Sequence, residues 1–388
     1  MPDAEKLAAV REALPAVRAG IYLNTPVAGP LPAEIAASMS EIAGWELSTG
    51  RAHRDRRGDV LARIDEARGA AAAVLTADID DVLLARSYDD ALGTALRTRD
   101  LAPGDRVVVA SGEHVGRIGR LLPRGVEAVA LDASAPGGVL DEVARLTSAE
   151  RVRLVACPLV SARNGERLPI ESIASLAHAR GASLLVDVSL TAGAVRVDRR
   201  ALGADLIVTR SEAWLLGPEG LAVLAGTPEL LRRLPDDDGW GERALERDDP
   251  VGFHLPSVVG FARSCGWLSM YVGLEWIHDR GAALTSTAAA RLAAIPGVEL
   301  LTPIDAMATV VVFRIAGWPA DEALEELGTR TFALASTVAA IDAIRIGLGF
   351  FNTEDEVERF AACVELLAAH TPADLPPRQR LTVIGRGS

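Results

Sequence analysis

The chain has 388 residues, 49% of them hydrophobic and 24% charged, which is enough for one large or two ordinary domains at roughly 150 residues each and excludes a disordered chain. Forty Lys and Arg against 53 Asp and Glu leave a net charge of −13, which argues against nucleic acid and anionic membrane as partners. Cys157, Cys265 and Cys363 are the three cysteines, too few and too far apart for a disulfide framework or a metal knuckle, so a reducing cytoplasm is the expected location.

Residues 1–20 read as a polar amphipathic helix on Leu7, Val10, Leu14 and Val17, without the basic start and apolar run of an export signal. No apolar run approaches the roughly 18 residues a membrane span needs. From residue 20 onward, short apolar runs alternate with amphipathic ones. Strands are predicted at 81–85, 106–110, 127–131, 153–157, 183–187, 206–209 and 221–225, and helices at 62–75, 90–97, 116–122, 138–146 and 170–178. Short apolar strands separated by helices imply an α/β fold with a mainly parallel sheet covered on both faces. After a loop at 250–257, residues 258–292 predict one or two long helices. Strands at 298–301, 309–315 and 343–347, with helices at 320–327, 329–338 and 353–369, complete a smaller unit. The expected division is a large α/β domain at 1–255, which includes the N-terminal helical segment, and a smaller α+β domain at 256–388.

Five separated segments share one resemblance: LNTPVAGPLP at 23–32, SGEHVGRIGRLL at 111–122, LPI at 168–170, LLVDVSLTAGAVRVDRRALGADLIVTRSEAWLLGPEG at 184–220 and IRIGLGFFNTEDEVERF at 344–360. In this order they resemble the class V aminotransferases, the group that contains cysteine desulfurases and isopenicillin N epimerase. The resemblance implies a fold type I, pyridoxal phosphate (PLP) transferase-like architecture, with a pocket at a homodimer interface.

Chemistry with this cofactor needs a lysine amine, an acid beside the pyridine nitrogen and a cradle for the phosphate. Aligned by resemblance, the lysine position is Ala213. Lys6 is the only lysine in the chain, the remaining 39 of the 40 basic residues being arginine. The same alignment puts Arg210 and Glu212 where a hydroxyl and a histidine are expected, Leu190 in place of a Gln or His, and His254-Leu255-Pro256 in place of a Gly-Thr-Pro. In the phosphate loop, Ser87-Tyr88-Asp89-Asp90 introduces acids, and a carboxylate such as Asp89 repels a phosphate. Three anchors are retained by resemblance: Asp187 as the pyridine acid, His114 as the ring-stacking histidine and Arg345 as the carboxylate-gripping arginine.

The remaining candidates carry plain structural readings beside the functional ones. Arg210 and Glu212 make an ion pair that fills cofactor space. Cys157, after Leu154, Val155 and Ala156, reads as a buried strand thiol. FALASTV at 332–338 holds no counterpart to the desulfurase cysteine, which disfavours persulfide transfer, and His278 and His370 read as surface residues without a metal partner.

The expectation from sequence is therefore a class V aminotransferase-like protein that has lost its lysine and cradle. It is either a PLP-independent enzyme of small-molecule metabolism or a non-catalytic homologue. In the first case Asp187, His114 and Glu212 are the catalytic groups for proton transfer or elimination on a small carboxylate, and Arg345, Arg210 and Asn24 bind that substrate. Ala213, Asp89 and Leu190 mark a degenerate cofactor site, and no cofactor or metal is expected. A scaffold subunit pairing with itself or an active paralogue is one alternative. A PLP-dependent lyase, epimerase or aminotransferase with an engineered lysine-to-alanine change at 213 is the other.

Overall fold

The computed structural model describes residues 3–52, 56–110, 112–132, 138–234 and 252–377, at 112–114 for the backbone only. Its centre is a seven-stranded sheet of β2 (Val82–Ala85), β3 (Arg106–Val109), β4 (Glu127–Ala130), β5 (Val152–Pro158), β6 (Ser183–Asp187), β7 (Leu206–Arg210) and β8 (Ala222–Gly226), in the order β2-β8-β7-β6-β5-β3-β4. The five strands from β7 to β4 pair in parallel, while β8 runs antiparallel to both β7 and β2.

Successive residues of a strand point to opposite faces, and the middle strands are apolar on both. Val155, Cys157, Leu184, Val186 and Ile207 join one core, and Leu154, Ala156, Leu185, Leu206 and Val208 join another. The first core is covered by α3 (Arg56–Val74), α6 (Gly138–Thr147), α7 (Ile170–His178) and α9 (Leu255–Gly266), the second by α4 (Tyr88–Arg97), α5 (Gly112–Leu121) and the short α8 (Pro228–Leu231). Each fully buried aliphatic side chain contributes roughly 1.5–3 kcal/mol.

A second, antiparallel sheet has the order β12 (Ser336–Val338), β13 (Ala343–Gly347), β10 (Val310–Ile315), β9 (Val298–Leu300). Phe313, Ile315, Ile344 and Ile346 pack there against α10 (Leu274–Ala293), α11 (Ala320–Thr331) and α12 (Glu354–Ala368). The N-terminal strand β1 (Ile21–Tyr22) pairs in parallel with β11 (Ala333–Leu334), and Ile21 and Leu23 enter this second core.

The structure departs from the sequence reading in three places. The first helix, α1, ends at Ala13 and is followed by a 3-10 turn at Pro15–Arg18, because a proline disfavours helical backbone at the residue before it. A helix α2 (Ala33–Thr49) that periodicity did not reveal carries one buried residue, Ile35. The 258–292 stretch agrees with the reading of one or two helices: it divides at Gly273, with φ +87°, after a six-residue π-helical turn. Expected helix 329–338 is instead the end of α11, a left-handed Phe332 at φ +57°, and strands β11 and β12. Among the described residues, no helix is long and apolar enough to cross a membrane.

Candidate functional site

Parallel sheets place ligands at the carboxyl ends of their strands, and in this sheet that end of β6 is Asp187. Backbone register sets it between Pro158 of β5 and Val208 of β7. Its carboxylate is fixed twice: Oδ1 accepts the Ser189 N–H at 2.8 Å, and Oδ2 accepts the Tyr88 hydroxyl at 2.8 Å.

Tyr88 is the first residue of α4, whose N-cap Ser87 accepts the Asp90 N–H at 3.1 Å. The Tyr88 ring is buried and lines, with Leu92, Ile118, Cys157, Asp187 and Val208, a pocket of about 10 Å³, room for one water. Burial and the adjacent Asp187 charge hold its phenol well above the usual tyrosine range, against the opposing pull of Arg210 and Arg117. Those two guanidinium groups lie over the same ring, Arg117 at 5.2 Å and Arg210 at 5.8 Å from its centroid.

The acids near this end of the sheet are paired. Asp90 meets Arg86 at 3.0 Å, Asp89 meets Arg117 at 3.1 Å, and Glu212 stands 3.9 Å from Arg210. This corrects the sequence inference that the loop carboxylates exclude a phosphate: their charge is offset by arginines, one of them 28 residues further along the chain.

Ala213 is fully buried next to Trp214. Its loop is strapped down by the segment after β1, where Gly29 donates its N–H to the Glu212 carbonyl at 2.7 Å. A Cβ on Gly29 would lie 2.5 Å from the Ala213 carbonyl oxygen, so the close approach requires glycine. Gly193 closes the loop from its other side, with φ +93° and a Cβ position 2.6 Å from the Trp214 oxygen.

The other candidates are dispersed. Leu190 packs with Val160, Val310, Val312 and Ala343 rather than beside Asp187. Arg345, on β13, donates to Ser336 Oγ at 3.2 Å and to the Ala162 carbonyl at 3.3 Å. Asn24 bridges to Gly347, and its buried Oδ1 has no hydrogen-bond partner. His114 is on the first turn of α5, its side chain outside the described residues. Lys6 is engaged away from these groups, 4.5 Å over the Trp276 ring. His278 and His370 are half-buried rather than surface residues, and burial lowers the His278 pKa. Cys157 is buried, its thiol pushed up to about 12 by burial and then by Asp187. Tyr88 and Arg117 escaped the sequence reading. The available signal was an aromatic residue directly after a Ser helix cap, with Asp two residues beyond it.

Comparison with known proteins locates this arrangement in a family. Residues 21–360 match the family profile described as Aminotransferase class-V. A probable cysteine desulfurase of Methanothermobacter thermautotrophicus is 25% identical over 92% of this chain and 97% of its own length. Another, from Mycolicibacterium paratuberculosis, is 28% identical over 78% of this chain and 49% of its own, so the chain spans about half the length of that relative. Among solved structures, a lysine-to-alanine variant of C-DES with glycine covalently linked to its PLP cofactor superposes with a TM-score of 0.82 at 18% identity, covering 92% of this chain and 98% of that one. The apo cysteine desulfurase of Thermococcus onnurineus NA1 superposes with a TM-score of 0.77 at 19% identity, covering 93% and 98%.

These matches overturn two expectations, that of a PLP-independent enzyme, non-catalytic homologue or scaffold, and that of no cofactor. The relatives are cysteine desulfurases, and the C-DES variant holds its cofactor with alanine in place of a lysine. The error was to equate a covalent anchor with binding, which is the sum of many non-covalent contacts. By the match over 21–360, the chain belongs to the class V aminotransferase family.

Proposed function

We propose that this protein is a PLP-dependent enzyme that cleaves a carbon–sulfur bond in a small sulfur-containing amino acid by elimination, holding its cofactor without a lysine bond. The observation that carries the reading is Asp187, fixed at the end of β6 by Ser189 and Tyr88 beside two guanidinium groups.

The residues present fit the cofactor at two of its three demands. Asp187, held by Ser189 and Tyr88 at the carboxyl end of β6, is the carboxylate that a pyridine N–H would meet. Arg117 and Arg210, which pair with Asp89 and Glu212, are the guanidinium groups nearest to where a phosphate would sit. The amine is the unmet demand, because position 213 carries a methyl group. When bound, PLP supplies an electron sink for negative charge at the substrate α-carbon.

Around that group the chain's own residues have assigned work. Asp187 would face the pyridine nitrogen, where its negative charge would favour the protonated form. Glu212, next to Ala213, is the proposed acceptor of the α-proton, and Arg345 with Asn24 is the proposed grip on the substrate carboxylate. Elimination rather than persulfide transfer is favoured by the cysteines, all three of which are buried with thiol pKa values raised by burial, since the thiolate is the nucleophile. A structural neighbour of TM-score 0.81 and 18% identity, the cystine C–S lyase C-DES bound to cysteine persulfide, performs chemistry of this kind.

The test is product analysis with PLP and cystine. The expected products are cysteine persulfide, pyruvate and ammonia, with the rate at least about 100-fold lower in Asp187→Ala and unchanged in Cys157→Ala. Alanine as the product, or full activity in Asp187→Ala, would overturn the reading.

A further inference from the structure

We propose that Tyr88 is a displaceable plug, an aromatic ring of the chain itself that holds the place beside Asp187 and that the cofactor has to expel. The inference rests on the cofactor use proposed above and concerns how access to that site is controlled. The phenol hydroxyl donates to Asp187 Oδ2 at 2.8 Å. A pyridine N–H meeting the same carboxylate would make a contact of the same kind, one polar hydrogen carried by a six-membered ring. Tyr88 thus stands in for the ring it excludes.

The space admits one ring and not two. Tyr88 is 8% exposed, and the cavity it lines with Leu92, Ile118, Cys157 and Val208 holds about 10 Å³, enough for one water and far too little for a pyridine. The other walls are fixed. Cys157 and Val208 belong to the central strands, and Leu92 and Ile118 are buried between that sheet and its covering helices. A close-packed interior of this kind does not part to admit a ring.

Tyr88 is the wall that can move. It opens α4, and its neighbours Ser87 and Asp89 are exposed, so the ring reaches inward from a surface segment. The helix start is secured independently of the ring, because the Ser87 hydroxyl oxygen accepts the Asp90 N–H at 3.1 Å, a bond that rotation of the Tyr88 side chain leaves intact. Over the ring lie the guanidinium groups of Arg117 and Arg210, at 5.2 and 5.8 Å from its centroid, on side chains that are 43% and 34% exposed. The outward path is therefore covered by two long surface side chains rather than by core. Expulsion exchanges one hydrogen bond to Asp187 for another, so the carboxylate keeps its count of donors and the main cost is exposure of the phenol ring.

Calorimetric titration with PLP and with pyridoxal, together with stopped-flow binding of PLP, tests the plug without any measurement of turnover. Tyr88→Phe keeps the ring and removes its bond to Asp187, so it should bind both compounds about 30-fold more tightly than the wild type, and Tyr88→Ala, which also empties the space, about 100-fold more tightly. In the wild type the observed binding rate should level off as the PLP concentration rises, because opening limits entry, and the plateau should be higher in Tyr88→Phe. The wild-type plateau needs no variant and so stands even where a substitution fails to fold. Affinity in Tyr88→Phe equal to or below that of the wild type, or a wild-type rate that rises linearly throughout, overturns the plug and leaves cofactor use intact. Failure of the wild type and both variants to bind either compound overturns both.

Discussion

The Tyr88 hydroxyl and the Asp187 carboxylate form the contact on which the site is organised, and it is a neutral donor meeting a charge. Such a bond contributes roughly 1.5–3 kcal/mol. Because the folded-state proton affinity of Tyr88 is raised, its stabilising effect is complete below the ordinary tyrosine value near 10 and is lost as pH rises through the folded value. Thermal unfolding of the wild type between pH 8 and 11 should therefore show a fall beginning near pH 10. Tyr88→Phe should be less stable at pH 8 by about 2 kcal/mol and should lack that part of the fall. Identical alkaline profiles for the two proteins would contradict this account of the pair. At this scale the sequence revealed Asp187, which ends an apolar run of β-strand type, and Cys157, whose burial follows from the residues before it. It concealed the phenol and its two arginines, because Tyr88 and Asp187 are 99 positions apart.

Elements with a strong local signal were legible and those set by tertiary contacts were not. Helix α12 begins at Thr353 with a full capping box: its Oγ1 accepts the Glu356 N–H at 3.1 Å and Glu356 returns the bond to the Thr353 N–H at 3.2 Å. The Thr-x-x-Glu spacing is local, so the start of this helix could be read directly. Glu356 also accepts from Arg11 at 2.7 Å and from Asn352 at 2.9 Å, tying the first helical segment to the last helix. Thr353→Ala should cost about 1 kcal/mol, read as a lower urea midpoint with the slope unchanged. No change in midpoint would show that the cap is redundant. By contrast α2 buries little besides Ile35, leaving no apolar stripe to detect. Residues 329–338 misled because their helical propensity loses to pairing, as Leu334 and Val338 lie in strands bonded to β1 and β13.

For the molecule as a whole, alternation of strands and helices was sufficient to give the parallel sheet and hence the edge at which a site belongs. The sheet order brings β6 and β7 together, so Asp187 and Arg210 share that edge while Leu190, three residues past Asp187, turns away into the apolar cluster beside β10. What was misread was chemical rather than architectural. In the sequence the acids of 87–90 argue against a cofactor, because sequence does not show which charges are offset in space. The pairings Asp89–Arg117 and Asp90–Arg86 supply that information. The most direct test of the account is equilibrium binding of PLP to the wild type and to Asp187→Asn, measured by calorimetry. The account predicts saturable binding by the wild type and affinity about 100-fold weaker in Asp187→Asn, the loss of one charge-assisted contact to the ring nitrogen. Equal affinities in the two proteins, or no binding by the wild type, would contradict it.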